Sequence, residues 1–269
     1  MTTSLYHRGG RGPNLAGSWA LAERRASLRV VTSDSPSVAS DLASSFEDAW
    51  ARFQTRDSLR LAGDTSEWEW SRGRAQYLTF LVRVEDASAR EHLARVAERL
   101  AGIPGVDLYP DWYWHVTVKG VGFQVIKRAH EDDVLRQEVP RIAAKAREML
   151  SDEEAFEAQL GLVNAFGEVV FVEVWDEGRF RQLNARLMDG LSGVAHYSID
   201  GAALLPHVSV ARFTSNDGLS ELKSTLAALR AEGPGPSYPI RRVEFIKAWL
   251  SEAAPEFDLL ASYPLRSPR

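Results

Sequence analysis

Two short segments of the chain repeat one pattern of a histidine, a valine, a hydroxyl residue and a second valine. They are His-Val-Thr-Val at 115–118 and His-Val-Ser-Val at 207–210. Residues two apart on a β-strand point to the same face, whereas neighbours point to opposite faces. Each segment therefore predicts a strand that directs an imidazole and a hydroxyl to one face and buries its valines on the other.

The predicted elements around the two segments follow a similar order. From Tyr77 onward, the hydrophobic pattern predicts a strand, a helix, the first motif strand, a helix and a strand. A strand, a helix, the second motif strand, a helix and a strand follow. This repetition of element order predicts an α+β chain built from two similar halves.

The residues before this repeat are predicted to be an N-terminal extension, 1–75, of a main domain that spans 76–269. Residues 1–16 have the composition of a flexible terminal tail. Residues 37–54 carry apolar residues at helical spacing and predict an amphipathic helix, whereas 132–152 read as helical with Pro140 as a break or a new start. Trp68 and Trp70, two apart as on a strand, are interpreted as the packing surface of the extension, with a lid over the groove as the alternative.

Charge and composition narrow the class of protein. The chain has 269 residues, a net charge of −5 and no cysteine. An acidic chain argues against tight non-specific binding to long nucleic acid, although a local groove for one or two phosphates remains compatible. No disulfide or thiol chemistry is available. We read no membrane span and no signal peptide, and therefore expect a cytoplasmic protein.

Two imidazoles and two hydroxyls on facing strands suit the cleavage of a phosphodiester. A neutral histidine can take a proton from the attacking oxygen while a charged one protonates the leaving oxygen. The hydroxyls can donate to phosphate oxygens whose charge grows in the transition state. This chemistry requires no metal and no cofactor. A zinc site is disfavoured because neither motif has a second histidine at ligand spacing.

A third match to the pattern occurs at 196–199, His-Tyr-Ser-Ile. Asp200 and Gly201 follow it directly as a turn signal. We interpret this match as a neighbouring hairpin arm, and His207 as the second functional histidine.

The residues that flank the motifs are candidates for substrate binding. Lys119 and Arg212 follow the motifs and can reach a phosphate where the strands bend, or they are solvated surface cations. Trp112 and Trp114 precede the first motif and can stack on a nucleobase, or they are core and rim residues.

The paired motifs resemble those of the two-histidine (2H) phosphoesterase superfamily, which includes the RNA 2′,3′-cyclic phosphodiesterases once named 2′-5′ RNA ligases. Pro206 and Arg212 flank the second motif as in the family, and Gly120 and Gly122 give a loose version of the segment after the first. The resemblance covers roughly residues 77–265 by element order. The first 75 residues match nothing in the family, and the first motif lacks the usual Phe-Leu-Gly tail.

The resemblance implies a bilobal α+β fold with two pseudo-symmetric, mainly antiparallel sheets, flanking helices and a central groove. It implies His115 and His207 as general acid and base, in an order that stays open, and Thr117 and Ser209 as phosphate-holding groups. The expected activity is metal-independent hydrolysis of a nucleotide or RNA-end phosphodiester, above all a 2′,3′-cyclic phosphate, with no obligate protein partner. The alternatives are 2′-5′-linked or cyclic oligonucleotide substrates, a non-catalytic nucleotide or RNA-end binding module, and a zinc-dependent hydrolase.

Overall fold

The computed structural model describes residues 38–62, 70–250 and 254–267. Within these ranges the strands are β1 (Gln76–Arg83), β2 (Val106–Leu108), β3 (His115–Val125), β4 (Asp133–Leu135), β5 (Phe156–Phe166), β6 (Val169–Trp175), β7 (His207–Phe213), β8 (Ser237–Ile240), β9 (Arg242–Trp249) and β10 (Glu256–Pro264). The α-helices are α1 (Val38–Gln54), α2 (Ala87–Leu100), α3 (Val139–Leu150), α4 (Arg179–Gly190) and α5 (Leu219–Ala231).

The strands form one ten-stranded sheet with two halves. The first half contains β10, β9, β1, β3 and β4, and the second contains β2, β7, β6, β5 and β8. The halves join through a single antiparallel register pair, Val116 with Val208. The predicted α+β class and the mainly antiparallel arrangement are confirmed, with β3 and β4 forming a parallel pair. The two sheets expected from the sequence are two halves of one sheet.

The valines of both motifs lie in the main hydrophobic core, where Val116 and Val208 are fully buried. Apolar residues of α2, α3, α4 and α5 pack in the same core. We call this side of the sheet the core face and the opposite side the histidine face. Because residues alternate along a strand, a valine on the core face turns its motif histidine to the histidine face.

The segment predicted as helical over 132–152 is divided in the structure. It contains β4, a 3-10 helix at Arg136–Glu138 and then α3, with Pro140 in the first turn of α3. Proline has no N–H to donate, and the first turn of a helix is where that donor has no intrahelical partner. Pro140 therefore marks the start of the helix.

The predicted helix at 37–54 matches α1, which packs against the second half of the sheet. β8 pairs with β5 only over Phe156–Gln159. Beyond that stretch α1 lies against β5, and the Asn164 side chain donates to the Phe46 carbonyl oxygen at 2.9 Å. Helix α1 therefore covers the part of the β5 edge that β8 does not pair with.

Parts of the predicted extension lie outside the described residues, namely the tail at 1–16 and Trp68. Trp70 is described, and its ring packs edge-on against Tyr77 at 4.7 Å and Phe123 at 4.8 Å. The division of the chain at 75/76 stays a prediction. None of the helices in the described ranges is long and apolar enough to cross a membrane.

Candidate active site

The two motif histidines meet where the halves of the sheet join. His115 is the first residue of β3 and His207 is the first residue of β7. Each directly precedes a valine of the pair that joins the halves, Val116 and Val208. Paired residues of an antiparallel ladder share a face, so both histidines point to the histidine face from the ends of rigid strands.

The two motif hydroxyls complete the cluster. The register of the joining pair places His115 beside Ser209 and Thr117 beside His207. All four side chains are partly exposed, in contrast to the buried valines between them. The structure thus brings together the four residues predicted to carry the chemistry.

Each imidazole is held by the main chain two residues upstream. Nδ1 of His115 donates to the Tyr113 carbonyl oxygen at 2.5 Å, and Nδ1 of His207 donates to the Leu205 carbonyl oxygen at 2.7 Å. A carbonyl oxygen can only accept, so the proton of each neutral ring is on Nδ1. The Nε2 atom of each ring is therefore left to accept or deliver a proton.

Burial lowers the pKa of both histidines. The pKa of His115 falls from 6.5 to about 4 because of burial, with smaller contributions from the positive charges of His207 and Arg83, against the opposing hydrogen bond to Tyr113. Burial also lowers the pKa of His207, against its hydrogen bond to Leu205. Both rings are therefore neutral near pH 7, and a bound phosphate anion favours protonation of one of them.

Aromatic rings surround His115 on the first half of the sheet. Tyr113 lies edge-on at 4.9 Å between ring centroids, and Phe257 of β10 lies edge-on at 5.2 Å. Trp112 contacts Phe257 at 6.3 Å and is 44% exposed. Arg83 is paired with His115 in the register of β1 and β3, and its Nε donates to Glu244 at 2.8 Å. This end of the site presents an open aromatic surface and a cation.

A second pair of rings holds His207. Phe166 lies edge-on at 5.0 Å and Phe171 at 5.1 Å. Phe171 is fully buried, and Phe46 of α1 packs behind it at 6.2 Å. On this side of the site, helix α1 therefore packs against the ring that contacts His207.

Both motif strands contain a β-bulge at the fourth residue of the motif. Between β3 and β1 the register shifts so that Val118 is the extra residue, and between β7 and β6 the extra residue is Val210. An extra residue reverses the alternation of faces beyond it. Counted from the histidine, the fifth residue therefore turns to the core face and the sixth to the histidine face. Strict alternation would give the opposite orientation.

Lys119 is the fifth residue counted from His115, so the bulge turns it to the core face. The structure therefore does not bring Lys119 to the two histidines. It is opposite the core residue Phe80 and only 1% exposed. Its Nζ donates to Asp200 at 2.8 Å and to the Ala195 carbonyl oxygen at 2.7 Å. Burial lowers the pKa of Lys119, against the effect of Asp200. Lys119 thus belongs to a buried ion pair.

Arg212 is the sixth residue of the second motif, and the bulge directs it to the histidine face. It is opposite Val169, which packs in the apolar cluster of Phe171. Its Nη2 lies 3.1 Å from Asp107, and its side chain is 23% exposed. Arg212 is therefore the motif cation placed to reach a bound phosphate.

The two candidate tryptophans differ in exposure. Trp112 lies on the surface beside Phe257. Trp114 is 4% exposed and lies in the main core, with Arg90 placed 5.6 Å over its ring. Trp112 can therefore contact a ligand, whereas Trp114 contributes to packing.

His196 is exposed and lies in the connection between α4 and β7, not on a strand as expected for a hairpin arm. Its placement agrees with the choice of His207. Among the described residues, no group of three or more histidine, aspartate and glutamate side chains is arranged to hold a metal.

Sequence reasoning missed Arg83, Phe257 and the Phe166–Phe171 pair. Their contact with the histidines depends on strand pairing between distant segments. The local pattern around each of them gives no sign of a site.

Comparison with known proteins supports the relation suggested by the motifs. The family described as the 2'-5' RNA ligase superfamily matches residues 79–248, a span that contains both motifs and excludes α1 and β10. A search of curated proteins found no match.

Solved structures with the same fold include TT0787 of Thermus thermophilus, with a TM-score of 0.54 and 17% identity over 72% of this chain and 100% of that chain. Escherichia coli LigT complexed with NADP+ gives a TM-score of 0.52 and 15% identity, and LigT complexed with 3'-AMP gives 0.51 and 15%. Both matches cover 72% of this chain and 99% of LigT.

Proposed function

Because the chain belongs to the 2'-5' RNA ligase superfamily, we propose that it is a metal-independent phosphodiesterase that acts on a nucleotide or an RNA end. The preferred substrate is a 2′,3′-cyclic phosphate. The observation that carries the proposal is the pair of Nε2 atoms, each left available by an Nδ1–carbonyl hydrogen bond, on the same face of the sheet as two hydroxyls.

The reaction follows from this arrangement. The phosphate binds between the histidines, with Thr117, Ser209 and Arg212 donating to its non-bridging oxygens. Nε2 of one histidine takes a proton from water, whose oxygen attacks phosphorus. Nε2–H of the other histidine delivers a proton to the ribose oxygen as its bond to phosphorus breaks. The product is a phosphate monoester, and water has been added across one P–O bond.

Two observations support a nucleotide as the substrate. Trp112 and Phe257 offer aromatic surface next to His115, and a nucleobase can stack on such surface. LigT, which shares the fold, has been crystallised with the nucleotides 3'-AMP and NADP+. The acidic net charge favours a small or terminal substrate over a long RNA.

The test is a product analysis with purified protein in EDTA. Nucleoside 2′,3′-cyclic monophosphates, short 2′-5′ and 3′-5′ oligoadenylates and cyclic dinucleotides are offered, and products are separated by chromatography. We expect opening of the cyclic phosphates by the wild type, and loss of this activity in both His115→Ala and His207→Ala. The identity of the product, a 2′- or 3′-phosphate, shows which ribose oxygen is the leaving group.

The remaining outcomes separate the alternatives. Cleavage of only the oligonucleotides keeps the mechanism and changes the substrate. Activity that is absent in EDTA and present in a parallel assay without EDTA points to a metal-dependent hydrolase. Histidine-dependent binding without turnover of any substrate points to a nucleotide or RNA-end binding module, and contradicts the proposed activity.

A further inference from the structure

The N-terminal helix α1 lies outside the span that matches the family, yet it packs against the rings that hold His207. We propose that Phe46 of α1 is a positioning residue, which acts through Phe171 to hold the His207 ring in the orientation that proton transfer requires. The inference rests on the proposed function, because it assigns a role to α1 in the same site.

A continuous set of ring contacts leads from the helix to the histidine. Phe46 lies 6.2 Å from Phe171, and Phe171 lies 5.1 Å from His207. Phe166 contacts both Phe171, at 4.4 Å, and His207, at 5.0 Å. Phe46 and Phe171 are fully buried. Close-packed rings transmit a loss of volume to their neighbours, so the plane of His207 depends on Phe46.

The same apolar cluster also holds the carbonyl group that binds the ring. Leu205 packs against the apolar cluster that contains Phe46 and Phe171. Its carbonyl oxygen accepts from Nδ1 of His207 at 2.7 Å. The cluster therefore supports both the ring orientation and the acceptor that keeps the proton on Nδ1.

Polar contacts fix the position of α1 over this cluster. Asn164 is fully buried and its side-chain nitrogen donates to the Phe46 carbonyl oxygen at 2.9 Å and to Glu173 at 2.8 Å. Glu173 is the register partner of His207 on β6. Arg230 of α5 neutralises Glu173 at 2.9 Å. Helix α1 is thus tied to the residue that lies directly beside the second histidine.

The helix offers its own control residue. Phe53 is also buried on α1, at 2% exposure, and packs on Phe213 at 6.5 Å in the main core. Its ring contacts are with Trp50 and Phe213, whereas those of Phe46 are with Phe171 and Trp175. A substitution at Phe53 therefore perturbs the packing of α1 without removing a ring that supports His207.

The experiment compares Phe46→Leu with Phe53→Leu in the full-length protein, with Phe46→Ala as a stronger variant. Turnover of a 2′,3′-cyclic phosphate is measured at a temperature at which thermal melts show all variants folded. We expect kcat to fall about tenfold or more in Phe46→Leu with little change in KM, because a misplaced catalytic group costs rate rather than binding. Phe53→Leu should retain the wild-type kcat.

A second readout does not depend on activity. Nitrogen-15 NMR of the histidine side chains reports which ring nitrogen of His207 carries the proton, with His207→Ala assigning the signal. We expect a mixture of tautomers in Phe46→Ala and the Nδ1–H form in the wild type and in Phe53→Leu. Equal losses of kcat in the two leucine variants, or an unchanged His207 signal in Phe46→Ala, would overturn the inference. If the wild type turns over none of the offered phosphodiesters, the proposed function fails and the NMR comparison alone decides this inference.

Discussion

The two motif strands begin with the same residue types and differ after their bulges. The shared residues are those proposed for catalysis, whereas the residues that differ include the cation proposed to bind the phosphate. β3 reads His-Val-Thr-Val-Lys-Gly and β7 reads His-Val-Ser-Val-Ala-Arg. Beyond equivalent bulges the fifth residues, Lys119 and Ala211, face the core, and the sixth residues, Gly120 and Arg212, face the site. The halves therefore share an imidazole and a hydroxyl, whereas only the second motif adds a guanidinium.

The surroundings of the two histidines differ in the same way. The rings beside His115 continue to the exposed Trp112, whereas Phe171 beside His207 is buried beneath α1. The similarity of the halves is thus limited to the histidines and hydroxyls of the two motifs. Residues outside the motifs place an exposed aromatic surface on the side of His115 and pack α1 against Phe171 on the side of His207.

The largest expected effect tests the equivalence of the two histidines. We expect His115→Ala and His207→Ala each to lower kcat/KM about 10³-fold or more, because each removes a proton-transfer group. The double variant should be little worse than either single variant, since the two groups act as a unit. His196→Ala, made on an exposed loop, is the control and should be close to wild type. Near-full activity in either single variant would break the equivalence.

The difference between the two motif cations is tested by removing each one. Lys119→Met should lower the free energy of unfolding by about 3 kcal/mol, because it leaves the buried Asp200 carboxylate without its cation. Arg212→Met should change that quantity by less than about 1 kcal/mol, but raise KM several-fold. Urea titrations and steady-state kinetics measure the two quantities. A rise of KM in Lys119→Met but not in Arg212→Met would contradict the assignment of Lys119 to the core face and of Arg212 to the histidine face.

The lowered pKa of His115 predicts a loss of stability in acid. The folded protein holds this ring neutral down to about pH 4, whereas the unfolded chain protonates it near pH 6.5. The stabilisation that comes from keeping this ring neutral is therefore full above pH 6.5 and is lost as the pH falls from 6.5 to about 4, by up to about 3 kcal/mol. The free energy of unfolding should fall less in His115→Gln than in the wild type over this range. Parallel pH profiles for the two proteins would contradict the burial of the ring.

The smallest expected effect concerns the open end of the site. Trp112→Ala should raise KM about fivefold for a nucleoside 2′,3′-cyclic phosphate, because a stacking surface is lost. The same variant should leave KM unchanged for ribose 2′,3′-cyclic phosphate, which has no base. Ile126→Ala, at a residue 92% exposed, is the matched surface control. An equal rise for both substrates would show that Trp112 does not contact the base.

The periodicity of the sequence was enough to predict the two motif strands, helix α1 and the four clustered residues, but not the division of the segment before α3. Alternation of valine with His115 and His207 identified the face on which each ring lies, and the apolar spacing of 37–54 identified α1. The bulges were not predictable, because an extra residue is defined only against the partner strand. For the same reason the burial of Lys119, and the contact of α1 with the rings beside His207, depend on tertiary packing that local patterns do not contain.

The hydrogen bonds from Nδ1 to the main chain have a consequence for the direction of the reaction. In the proposed reaction, one hydrolysis leaves the histidine that began neutral protonated and the other neutral, and the Nδ1 hydrogen bonds leave both Nε2 atoms available to the phosphate. By microscopic reversibility, this product state is the starting state for the reverse reaction, in which a ribose hydroxyl attacks the monoester and water leaves. A site that opens the ring in the proposed way must accelerate ring closure as well, and the abundance of water sets the net direction.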